Sequence, residues 1–96
     1  MKRIPVNFRI EPNFVMNSVN VIVQAKCTEY KQYAMLPILD AISIAERLNG
    51  VLLPNSADVN CEPGFKLVIY CKILFKSAED IYTFVNNINK LFEPGL

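Results

Sequence analysis

From Lys66 to Lys76 the residues alternate in parity, and from Ser77 onward the apolar spacing lengthens from two to about 3.6. A long strand therefore runs directly into an amphipathic helix. Leu67, Ile69, Cys71, Ile73 and Phe75 form one parity of that strand and are expected to face a core. Lys66, Val68, Tyr70, Lys72, Leu74 and Lys76 form the other and are expected to face a wetter side. In the helix, Ile81, Phe84, Val85, Ile88, Leu91 and Phe92 fall on one stripe. Ser77 followed by Asp80 is a variant capping pair with Asp in place of Glu, and Pro94-Gly95 stops the helix.

The same periodicity organises the first half of the chain. Residues 3 to 10 set Ile4, Val6, Phe8 and Ile10 against Arg3, Pro5, Asn7 and Arg9, which reads as a half-buried strand. Pro5 cannot donate to a ladder, so this strand is expected at a sheet edge. After a turn at Glu11-Pro12-Asn13, residues 18 to 28 alternate again, with Val19, Val21, Val23, Ala25 and Cys27 inward and Asn20, Ile22, Gln24, Lys26 and Thr28 outward.

Thr28 to Ala34 reads as a polar connection bearing Tyr30 and Tyr33. Pro37 then suits the first turn of a helix continuing through Ile38, Leu39, Ile42, Ala45 and Leu48. Asn49-Gly50 ends it, with Gly50 expected to take the left-handed closing conformation. A brief strand is expected within 51 to 60, and Glu62-Pro63-Gly64 is a turn into the long strand.

The expected fold is α+β: a mainly antiparallel sheet of three or four strands with two helices packed on one face, in the order ββαββα. The central strand-helix-strand-strand-helix portion has the order of a ferredoxin-like unit lacking its last strand. The N-terminal strand is free to take that edge.

At 96 residues the chain is expected to form one domain over 1–96, burying roughly 60–65% of its unfolded surface. An apolar share of 52% against 20% charged exceeds that of an ordinary soluble domain, leaving apolar surface for a partner once the core is filled. The N-terminal segment has two cations but no apolar run of the length a secretion signal needs, and no stretch is long enough to span a bilayer. A cytoplasmic chain with no membrane partner is expected. Cys27, Cys61 and Cys71 form no CxxC pair and are expected as reduced thiols.

Enzyme chemistry is not expected. The chain has no histidine, so the commonest general base and metal ligand is missing, and no serine or cysteine can be paired with an imidazole. Glu79 and Asp80 are adjacent, but they sit in a first helical turn, where the dipole favours acids. Asp58 and Glu62 match no calcium-loop spacing. Cys27 and Cys71 fall among Val and Ile, where a thiol packs as a small hydrophobe, and Cys61 lies beside a glutamate that disfavours its thiolate. The three glycines, Gly50, Gly64 and Gly95, are all accounted for by helix ends or turns, so no phosphate loop is present. No catalytic residue, metal site or cofactor is expected.

What remains is surface. Net charge is only +1, yet the outward sheet face would gather Arg3, Arg9, Lys26, Lys66, Lys72 and Lys76 while acids concentrate in helices and loops. Ile22, Val68, Tyr70 and Leu74 would form its apolar centre, as in many protein-binding surfaces. Tyr30 and Tyr33 offer a second anchor. The expected function is non-enzymatic protein binding through this open face, as a homodimer or as an adaptor or inhibitor of another protein. The runner-up is an RNA-binding sheet module, although only Tyr70 is available centrally for base stacking. A third reading is a small-ligand sensor at a subunit interface.

Overall fold

The computed structural model describes residues 6–53 and 63–92. Among these residues the fold is α+β, with one four-stranded antiparallel sheet and two α-helices. Along the chain come β1 (Val6–Asn13), β2 (Ser18–Ala25), a single 3-10 turn (Thr28–Tyr30), α1 (Lys31–Arg47), β3 (Val51–Leu53), β4 (Leu67–Leu74) and α2 (Ala78–Phe92). Across the sheet the order is β1-β2-β4-β3, so β2 and β4 are central and β1 and β3 are edges.

Register follows the alternating pattern. Val21 of β2 lies opposite Ile10 of β1 and Cys71 of β4, and Val23 lies opposite Phe8 and Ile69, so inward residues form continuous cross-strand rows. Both helices cover this face: Ala34, Ile38, Ala41, Ile44 and Ala45 of α1 and Ile81, Phe84 and Ile88 of α2 share one cluster with Val19, Val21, Val23, Ile73 and Phe75. Phe75 and Phe84, with ring centroids 5.1 Å apart, anchor the junction of β4 with α2. The amide of Asp80 donates to Ser77 Oγ at 3.3 Å, the cap expected at the start of α2. Leu91, expected on the buried stripe, is 58% exposed, because it falls at the margin of the arc defined by Ile81, Phe84 and Ile88.

Several boundaries depart from the sequence pattern for identifiable reasons. β1 runs on through Glu11-Pro12-Asn13, where a turn was expected. Pro12 is tolerated because β1 is an edge, and the reversal comes at Phe14–Asn17 instead. There Asn13 Oδ1 accepts the amides of Val15 and Met16, both at 3.1 Å, and Asn17 takes φ 51°. β2 stops at Ala25, so Cys27 and Thr28 lie outside it; the amide of Tyr30 donates to the carbonyl of Cys27 and tightens the chain into a 3-10 turn. α1 starts at Lys31, leaving Pro37 inside the helix rather than in its first turn.

At the end of α1 the left-handed residue is Asn49, at φ 60°, and not Gly50. The amide of Gly50 returns to the carbonyl of Ala45 at 2.8 Å and that of Asn49 to Glu46 at 3.1 Å, a complete Schellman closure. The brief third strand is Val51–Leu53, and the chain enters β4 through Pro63-Gly64, with Gly64 at φ 91°. Pro5, Pro94-Gly95 and the acids Asp58 and Glu62 lie outside the described residues.

Candidate protein-binding surface

The sheet face away from the helices is built from rows fixed by register. Arg9, Ile22 and Tyr70 form one row, Glu11, Asn20 and Lys72 the next, and Ser18, Leu74 and Val51 a third, with Gln24 and Val68 flanking the first. This arrangement brings together Arg9, Ile22, Val68, Tyr70, Lys72 and Leu74 as the strand parity implies. Lys66 and Lys26 stand exposed at one end, where the amide of Lys66 donates to the carbonyl of Ala25 at 2.9 Å. Lys76 is exposed beyond the other end, in the bend after β4 rather than on the strand. Arg3 lies outside the described residues.

Depth on this face differs from what parity alone implies. Ile22 is 1% exposed and Gln24 fully buried, although neither belongs to the core cluster under the helices. Val68, Tyr70 and Lys72 are half-buried, and Leu74 is 37% exposed. A partner would therefore meet the β4 row rather than Ile22. The charge pattern also differs: Glu11, on the same face two residues from Arg9, accepts from Arg9 Nε at 3.1 Å, so the face is not purely cationic. Among the described residues, the buried Oδ1 of Asn20, in the row between Glu11 and Lys72, accepts no hydrogen bond.

Exposed apolar side chains occur elsewhere as well. At the β1–β2 turn Phe14, Val15 and Met16 are 44%, 92% and 62% exposed, and the Phe14 ring lies 5.1 Å from that of Tyr82 on α2. On the outer side of α1, Tyr33, Leu36 and Leu39 are all about half exposed or more, as are Val51 and Leu52 on the β3 edge. Tyr30 and Tyr33, with centroids 6.2 Å apart, belong to the entry into α1, where Tyr30 packs on the core and Tyr33 is open to solvent. A depression of about 160 Å³ lies between α1 and β3, lined by Ile42, Ala45, Glu46, Gly50, Leu52 and Ile73. The sequence pattern did not single out the outward Leu36 and Leu39, because Leu39 also fits the apolar series of the helix.

Chemistry-bearing groups are sparse. Burial raises the thiol of Cys71 to about 11, so it stays protonated at neutral pH. Cys27 and Cys71 are free thiols, and Cys61 lies outside the described residues. Among the described residues no three Cys, Asp or Glu side chains gather as a metal site, and no helix is long and apolar enough to cross a membrane. Comparison with protein-family models, curated proteins and solved structures finds no match to this chain.

Proposed function

We propose that this domain acts by binding another protein, as an adaptor or inhibitor, with the outward row of β4 as its contact surface. The observation that carries the reading is the row Val68, Tyr70, Lys72 and Leu74, on the sheet face opposite both helices and continuing into Val51 of the neighbouring edge. A half-buried tyrosine flanked by aliphatic residues is a favourable anchor, since its ring adds contact area at little entropic cost. Lys26, Lys66 and Lys76 at the ends and Lys72 within the row favour a partner with an acidic rim. The RNA reading is weaker on this geometry, because Glu11 stands on the same face and Tyr70 is the only aromatic side chain among the outward residues of the β2 and β4 rows.

For the fold, the reading is a ferredoxin-like plan whose outer edge beside β2 comes from the N-terminal strand. The edge position of β1 supports it. Such a plan hosts many functions and names none.

The test is the double substitution Tyr70→Asp with Leu74→Asp. It is expected to lower partner affinity at least tenfold while far-UV circular dichroism and the urea midpoint show a folded protein. Unchanged affinity in a folded double variant would mean that the sheet face is not the contact surface.

A further inference from the structure

The outer surface of α1 carries a pattern that the sheet-face reading does not use. Lys31, Met35, Leu39, Ile42 and Glu46 follow one another at steps of four, four, three and four residues, so they share one stripe of the helix. Lys31 and Glu46 at its ends are exposed, Leu39 at its middle is 54% exposed, and Met35 and Ile42 are half-buried. Among the described residues neither Lys31 nor Glu46 makes an ion pair. At the Ile42 end the stripe opens into the depression of about 160 Å³ beside Leu52.

This pattern is complementary to itself when reversed. If a second α1 is laid antiparallel about a two-fold axis near Leu39, Leu39 meets its own copy and Met35 of each chain falls opposite Ile42 of the other. Lys31 then falls opposite Glu46 at both ends. The fifteen steps from Lys31 to Glu46 span about 22 Å of helix, so each of the two ion pairs would lie about 11 Å along the helix from the two-fold axis. Met35 would reach the mouth of the depression lined by Ile42 and Leu52, and its unbranched, flexible thioether suits an irregular apolar recess. A two-fold interface requires one patch to serve both sides, and here each apolar and charged position finds its complement in the same sequence.

We infer that the α1 stripe is a self-association surface and that its occupant is the same stripe of a second copy of this chain. The inference rests on the reading of this domain as a protein-binding module and gives it a second surface, separate from the β4 row. A single helix pair is a small interface, so an affinity on the order of micromolar is expected.

Sedimentation equilibrium of the purified chain tests it. The wild type is expected to dimerise, and Leu39→Asp to abolish the dimer. Lys31→Glu and Glu46→Lys, which turn both ion pairs into like-charge contacts, are each expected to weaken it about tenfold or more. An equimolar mixture of those two single variants restores opposite charges at both ends, so it should form a heterodimer with near wild-type affinity. Circular dichroism of each variant checks that it is folded. A wild type that stays monomeric to about 1 mM, or a mixture no tighter than its components, would overturn the inference. A dimer lost in the Tyr70→Asp, Leu74→Asp variant but kept in Leu39→Asp would also overturn it, while leaving the protein-binding reading on the sheet face standing. A monomeric wild type whose β4 row still binds another protein separates the two readings in the same way.

Discussion

A Cβ placed on Gly50 would stand 2.9 Å from Cγ2 of Ile73, closer than such atoms approach in packed proteins. The same Cβ would lie 3.0 Å from the Phe75 ring and 3.2 Å from the carbonyl oxygen of Ala45. Ile73 is branched at Cβ and the Ala45 carbonyl is backbone, so neither yields easily. Gly50→Ala is therefore expected to destabilise the domain by about 1–3 kcal/mol through overpacking, read as a lower urea midpoint at unchanged slope.

Asn49 presents the complementary case, because its requirement is backbone conformation rather than space. It sits at φ 60° in the closure of α1, where a side chain costs energy that glycine avoids. Asn49→Gly is expected to raise stability by about 0.5–1 kcal/mol. Chemical denaturation checks this, and a loss of stability would mean that the asparagine side chain has a role the closure does not require.

Burial of Cys71 makes stability depend on pH in a defined window. Its thiol is raised by desolvation from 9.0 to about 11, so the folded state keeps its proton where the unfolded chain releases it. The contribution is fully present below pH 9 and is lost as pH rises from 9 through 11, amounting to about 2–3 kcal/mol. The difference in unfolding free energy between wild type and Cys71→Ala is expected to shrink over that window. A difference that stays flat from pH 8 to 11 would contradict the assignment.

The cap of α2 is a further check on how the sequence sets an element boundary. Ser77 Oγ accepts the amide of Asp80, so Ser77→Ala is expected to cost about 1 kcal/mol, and Ser77→Asp to cost little. Thermal unfolding of the two variants distinguishes a capping role from a merely exposed serine.

The α+β class, the antiparallel sheet and both helices are legible in the spacing of apolar residues, because β2, β4 and α2 each bury one parity or one stripe against a shared core. The start of α1 is not, since Lys31, Gln32 and Tyr33 lie in its exposed first turn and carry no apolar period. The extension of β1 through Pro12 is hidden for a different reason: an edge position, known only from the assembled sheet, excuses the missing donor. The candidate site was legible in parity but not in depth. Alternation places Ile22 on the outward face correctly. Its near-complete burial there depends on its surroundings, which include Arg9 and Tyr70 on the adjoining strands. Leu39 errs in the opposite sense, since it fits the apolar series of α1 yet points outward.

Whether the β4 row holds a protein partner is decided by affinity capture of the tagged chain from its native cells at low salt, with half of each sample treated with nuclease. A stoichiometric protein, distinct from the chain itself, is expected to survive nuclease and to be lost when Tyr70 and Leu74 are both replaced by Asp. Bound material that disappears on nuclease treatment, or a protein held equally well by the folded double variant, would contradict it.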